Sequence, residues 1–280
     1  MRWWQALILG IVEGVTEYLP ISSTGHLILT AWLMGLHHEP ARWEAAFAFN
    51  IVIQSGAIAA VLGLYRSRLL HMARGIIGRD PAGRQLAGHL GLAFLPAALL
   101  GPLLAESIEM FLNGPWPVVA ALFAGGVLML VVGSSSRYHA QRNLTLNDID
   151  WRMALMIGSS QCVAMWPGMS RSMVTIVAAL LLGLHATAAA EFSFLLGVLT
   201  LGAATVFKAL QNGPAMLEQF GFGPVLLGFV TAMVSAGLAV SWLVRFLNRH
   251  GVAPFGWYRL AIAAIFAALL KFQLFMMPVP

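Results

Sequence analysis

One cysteine in 280 residues, Cys162, excludes an internal disulfide and any cysteine-built metal cluster, and leaves a packed core thiol as its reading. Charge is scarce too: Asp, Glu, Lys and Arg make up only 10% of the chain, well below the roughly 25% of soluble domains. No stretch long and polar enough for a soluble domain can be cut out. No small-residue cleavage site precedes Glu13, which argues against a removable signal peptide. The formal charge of +5 comes without any strip of interleaved basic and aromatic residues, so a nucleic-acid surface is not expected. What the chain does have is apolar sequence from end to end, 59% hydrophobic with a mean hydropathy of +0.81. It reads as an all-α, polytopic integral membrane protein forming one domain.

The apolar runs fall into a pattern. Residues 3–19 read as a helix closed by Leu19-Pro20, and 24–36 as a second, with Ser22, Ser23 and Thr24 as candidate caps. The second is too short for a hydrocarbon core of about 30 Å, so 3–36 reads as a re-entrant pair. Spans follow at about 45–65, 86–104 and 117–135. Asp150 then caps a helix over about 151–166, Pro167-Gly168 breaks it, and Ser170 caps another over 171–184. Spans at about 189–208, 224–244 and 258–277 finish the chain. Broken pair and three spans thus occur twice, over about 1–136 and 150–280, with Pro20 and Pro167 as matching breaks, each followed three residues on by Ser23 or Ser170. An odd number of spans per half implies an inverted-topology repeat: six transmembrane helices and two re-entrant pairs, with a site where the broken helices meet. The connections 66–84, 137–152 and 245–259 hold eleven of the sixteen Lys and Arg, Arg137, Arg142 and Arg259 among them, which assigns these connections to the cytoplasm and both termini to the other side.

Ionisable groups inside apolar sequence need a reason. Glu13 and Glu17 share one helical face, so in hydrocarbon they must share a proton, meet a cation or line a wet cavity; the alternative is a pair that reaches back to the interface. A hard divalent cation such as Mg²⁺ or Ca²⁺ takes carboxylate and phosphate oxygens together. Ser22, Ser23 and Thr24 open one half-helix, and Ser170 with Arg171 opens the other. Two facing helix N-termini with a guanidinium describe a phosphate or diphosphate pocket. The plainer readings are capping alone for the serines and a salt bridge from Arg171 to Glu13 or Glu17. His26 is a candidate general base or acid, or a satisfied core imidazole. Thr175 either donates to a ligand or bonds its own backbone. Glu191 reads as a complement to a helix dipole, and His37, His38, His71 and His89 as loop or interface residues without metal-ligand company. Gln54 and Gln161 are apolar-flanked polar residues without an assigned role.

The stretches EGVTEYLPISSTGH (Glu13 to His26) and PGMSRSMVT (Pro167 to Thr175) resemble the two signature motifs of the bacterial undecaprenyl-diphosphatase, or bacitracin-resistance, family. The resemblance continues through Ile53-Gln54-Ser55-Gly56 and Glu191 to Leu196 and covers the whole chain; Met173 stands where the second motif often has a small residue. It implies hydrolysis of undecaprenyl diphosphate to undecaprenyl phosphate and inorganic phosphate, recycling the lipid carrier of peptidoglycan synthesis, on the periplasmic side of the inner membrane and with a divalent cation. On this chain Glu13 and Glu17 would hold the metal or tune a base, and His26 would be the catalytic base or a nucleophile. Arg171 would bind the diphosphate with Ser23, Ser170 and Thr175, and Ser172, Ser22 and Thr24 join them as binding candidates. Whether Ser23 or a water attacks phosphorus stays open. The expected partners are the polyprenyl diphosphate and membrane lipid, with a homodimer left open. The rival reading is a flippase or transporter of the lipid phosphate, because inverted repeats with broken helices are also a transport plan.

Overall fold

The computed structural model describes residues 1–112, 114–134 and 144–272; Arg137, Arg142 and the end of the last span expected from the sequence lie outside the described residues. Among the described residues the chain is helical throughout, apart from one isolated parallel bridge between Leu144 and Leu184. The helices are α1 Trp3–Thr16, α2 Ser23–Leu33, α3 Pro40–Leu64, α4 Arg66–Ile76, α5 Pro81–Leu112 and α6 Pro115–Ser134. The second part holds α7 Trp151–Gln161, α8 Arg171–Leu181, α9 Ala186–Phe220, α10 Phe222–His250 and α11 Ala253–Lys271. Six of them, α3, α5, α6, α9, α10 and α11, are long and apolar enough to cross a bilayer. With 11 residues each, α2, α7 and α8 reach only about 16 Å and are too short to do so.

Several expected boundaries shift, for local reasons. The first helix ends at Thr16, not Leu19, and Glu17 is its C-cap, so Glu17 to Ile21 form the turn that leads into α2. α7 stops at Gln161 and tightens into a 3₁₀ turn over Cys162–Met165 before Pro167. The connection expected over 66–84 contains α4, whose Gly75 packs directly on the Gly83–Arg84 backbone of α5. Arg259, counted among the cytoplasmic loop residues, instead lies inside α11 and is fully buried. The loop assignment failed there because charge alone was read, while Phe255, Arg259, Ala263 and Phe266 form one buried stripe of that helix.

Packing is organised around the two short broken pairs. α1 lies along α10, where Gly10 and Gly14 let the backbones approach; a Cβ at Gly14 would meet the carbonyl of Ala232. α7 lies along α5 in the same manner, with Gly158 against the backbone of Ala93. α3 also packs on α10, and α6 on α11. The main apolar core surrounds α8, where Met173, Ile176, Val177 and Leu180 meet Tyr18, Phe192 and Phe194.

Candidate active site

The site lies where α1 turns into α2 and where α7 gives way to α8. Ser22 and Ser170 are the N-caps of α2 and α8, and they are the two non-glycine residues with positive φ among the described residues, at φ 76° and 72°. Each side chain accepts from the backbone N–H three residues on, Gly25 at 3.4 Å and Met173 at 3.3 Å. Backbone held in this region by a residue with a Cβ is strained, and such strain gathers at functional sites. The pairing of Ser23 with Ser170 expected from the prolines is therefore one residue out: the equivalent caps are Ser22 and Ser170, and the residues that follow them are Ser23 and Arg171.

Those two following residues converge on one carboxylate. Glu17 Oε2 accepts from Ser23 Oγ at 2.6 Å, and Glu17 Oε1 accepts from Arg171 Nη2 at 3.3 Å. Both partners of the ion pair are deep, with side chains 7% and 10% exposed, so little solvent screens the charges. Arg171 also donates from Nη1 to the Ser193 carbonyl at 2.9 Å and lies over the Tyr18 ring. Gly197 makes room for it: a Cβ there would coincide with the guanidinium. A second tie joins the breaks, from Ser172 Oγ to the Leu19 carbonyl at 2.9 Å.

Glu13 sits one turn before Glu17, almost fully buried, with the two carboxyl groups within interaction distance. Its Oε2 has no hydrogen-bond partner, and neither do Tyr18 Oη and Arg171 Nε. Three orphaned polar atoms around one ion pair mark a place for a ligand, since a buried group without a partner costs about 1–3 kcal/mol. Glu13 and Glu17 suit a hard cation: a carboxylate oxygen is free, and the remaining positions of such an ion are commonly filled by water and substrate phosphate. No cluster of three or more His, Cys, Asp or Glu occurs among the described residues.

The other expected residues take distinct positions. Thr24 is exposed beside the caps. Ser170 Oγ lies 3.1 Å from Ser172 Oγ. Ser172 and Thr175 are fully buried, and Thr175 Oγ1 donates to the Arg171 carbonyl at 2.9 Å while lying 2.7 Å from Ser193 Oγ. Their hydroxyls are engaged with protein atoms, contacts that fix Arg171 and the turns. His26 Nδ1 lies 2.7 Å from the Ser22 carbonyl, and Nε2 lies 2.8 Å from Tyr258 Oη. Glu191 pairs with Arg68 at 2.7 Å instead of only facing a helix dipole. Gln54 accepts from Thr205 at 3.0 Å and joins α3 to α9.

Sequence reasoning missed Tyr18, Ser193, Gly197, Tyr258 and Arg259. Arg259 donates to the carbonyls of Ala121 at 2.9 Å, Leu122 at 3.3 Å and Gly168 at 3.0 Å, and so ties α11 to α6 and to the second break. A charged residue within the buried stripe of an apolar helix was the available signal.

Comparison with known proteins agrees along the length of the chain. A family model described as "Bacitracin resistance protein BacA" matches residues 6–265. The chain is 47% identical over 268 residues to a protein of Sorangium cellulosum named "Undecaprenyl-diphosphatase", covering 95% of this chain and 85% of that one. It is 44% identical over 276 residues to a Pseudomonas putida protein of the same name, covering 97% of this chain and 96% of that one. A Stutzerimonas stutzeri protein named "Undecaprenyl-diphosphatase 1" is 41% identical over 264 residues, or 94% of this chain and 92% of its own.

Proposed function

The chain belongs to the bacitracin resistance protein family, and from that membership and the site's geometry we propose that it is an undecaprenyl-diphosphatase, an integral-membrane hydrolase that releases inorganic phosphate from undecaprenyl diphosphate and returns the lipid phosphate to cell-wall synthesis. The observation that carries this reading is Glu17, which accepts from Ser23 at 2.6 Å and from Arg171 at 3.3 Å and so joins a nucleophile candidate to an oxyanion ligand. A serine whose proton already points at a carboxylate has a free lone pair for attack.

In this mechanism Arg171 and the N–H groups opening α2 and α8 hold the diphosphate, whose charge they neutralise. Ser23 Oγ attacks the terminal phosphorus and gives its proton to Glu17; the bond from that phosphorus to the bridging oxygen breaks, and undecaprenyl phosphate leaves. Water, whose proton passes to His26, then attacks the phosphoserine; the bond from phosphorus to Ser23 Oγ breaks, Oγ takes back the proton held by Glu17, and phosphate leaves. Glu13 and Glu17 would hold a divalent cation, Mg²⁺ or Ca²⁺, which supplies neutralisation of phosphate charge when bound. The Lys and Arg bias of the connections supports a site that opens to the periplasmic side of the inner membrane, and the similar caps at Ser22 and Ser170 support an inverted repeat with two re-entrant pairs.

The test is phosphate release from undecaprenyl diphosphate by detergent-purified protein, with and without a chelator. Wild type should release phosphate, lose activity with the chelator and regain it with Mg²⁺ or Ca²⁺. Ser23→Ala should fall by about 10³-fold or more, and the quenched wild-type reaction should carry phosphate on Ser23. Turnover without phosphoserine would leave the phosphatase and replace Ser23 by water as nucleophile. Folded wild type that only moves lipid across sealed vesicles would establish the transporter instead.

A further inference from the structure

Resting on the phosphatase reading, we propose that Tyr258 sets the tautomer and aim of His26 and carries the proton between its Nε2 and the attacking water. The Ser22 carbonyl can only accept, so the ring nitrogen 2.7 Å from it, Nδ1, carries the proton of the neutral imidazole. The lone pair is then on Nε2, and the hydroxyl 2.8 Å away on Tyr258 must donate to it. The two ring planes lie within 4° of parallel with centroids 5.6 Å apart, so the two rings also pack against each other. His26 is thus gripped at both nitrogens, by its own helix cap on one side and by α11 on the other.

Tyr258 is itself fixed from behind. The next residue, Arg259, is fully buried and donates to the carbonyls of Ala121, Leu122 and Gly168. Sliding or rolling α11 would strand that guanidinium among apolar side chains, so the helix position follows from it, and with it the hydroxyl's reach to His26. Consecutive residues of one span thereby touch both broken pairs, Tyr258 the first and Arg259 the second. When Nε2 takes up a proton, it takes that of Tyr258, whose oxygen takes one from the attacking water in the same step; the imidazolium Nε2–H then donates to that oxygen. The same contact therefore orients the ring before and after proton transfer.

The experiment compares wild type and Tyr258→Phe by nitrogen-15 spectroscopy of histidine-labelled protein, with the His26 signals assigned by their loss in His26→Gln, and by steady-state phosphate release. Wild type should show a protonated Nδ1 and a hydrogen-bonded, unprotonated Nε2. In Tyr258→Phe the Nε2 signal should move to that of a free lone pair, kcat should fall about tenfold, and KM should stay within about twofold. An unchanged kcat, an unchanged His26 spectrum, or a wild-type His26 protonated on Nε2 would each overturn the proposal; the last needs no variant to fold. Wild type without phosphate release would sink the phosphatase reading, while its spectrum would still test the contact.

Discussion

At the first break the residue after the strained cap is Ser23, whose hydroxyl donates to Glu17; at the second it is Arg171, whose guanidinium donates to the same carboxylate. Ten residues before these, the first break carries Glu13 and the second Gln161, both buried and both left with unpartnered side-chain atoms. The two caps have nearly the same backbone geometry, Ser22 at φ 76°, ψ 99° and Ser170 at φ 72°, ψ 110°. Similar turns therefore carry opposite charge. The first supplies acids, a hydroxyl and an imidazole, the second a cation and the caps that fix it, and neither turn alone carries all the groups that the proposed reaction uses. Dividing the charges in this way also lets each half neutralise the other when the site is empty, which a buried carboxylate cluster could not do by itself.

The change expected to break this complementarity most severely is Glu17→Gln. It removes the carboxylate that would take the Ser23 proton and the counter-ion of Arg171 together, leaving a guanidinium only 10% exposed without its partner. Phosphate release should fall by about 10³-fold, and the melting temperature of the purified protein should fall as well. Near-normal turnover in a folded variant would show that the two breaks do not cooperate through this carboxylate.

A smaller effect is expected from Glu13→Gln, which gives the first break the side-chain type found at the corresponding place in the second. The Glu17 ion pair and the Ser23 contact remain, so the fold should hold. The negative charge offered to a cation is lost, and activity should fall about 10²-fold with a higher requirement for divalent ion, read from a Mg²⁺ titration of phosphate release. A variant with the wild-type metal dependence would remove Glu13 from the proposed metal site.

How much of this was legible in the sequence follows the same division. Carboxylates, hydroxyls and an arginine inside apolar runs stand out because burial makes them costly, so Glu13, Glu17, Ser23 and Arg171 were singled out, and the structure brings Ser23 and Arg171 onto Glu17, the salt bridge that was the plainer reading of Arg171. The six long spans were legible from apolar length alone. The register between the breaks was not, because the prolines were matched; the backbone instead matches the positive-φ serines, one residue different. Tyr258 and Arg259 were missed because the last span was started at 258, so their neighbours Phe255 and Gly256 were read as loop instead of as the same buried face. α4 was missed because a short basic segment has no hydropathy signal, although Leu69 and Met72 face the core while Arg66 and Arg74 stay exposed. The fates of Ser172 and Thr175 depend on carbonyls of Leu19 and Arg171, and sequence does not carry such contacts.

Gln161 offers the gentlest test of the division between the breaks. If the second break contributes only a cation and its supports, the amide at Gln161 has no share in the chemistry, and its Nε2 and Oε1 are buried without partners. Replacing it by leucine removes two desolvated polar atoms at nearly constant volume, a change that costs no hydrogen bond seen in the protein and relieves about 1 kcal/mol or more. Gln161→Leu should therefore leave phosphate release within about twofold and the melting temperature equal or higher. A loss of activity comparable with Glu13→Gln would mean that the second break also binds a polar ligand through this side chain, and the contrast between an acidic and a purely cationic half would then have to be given up.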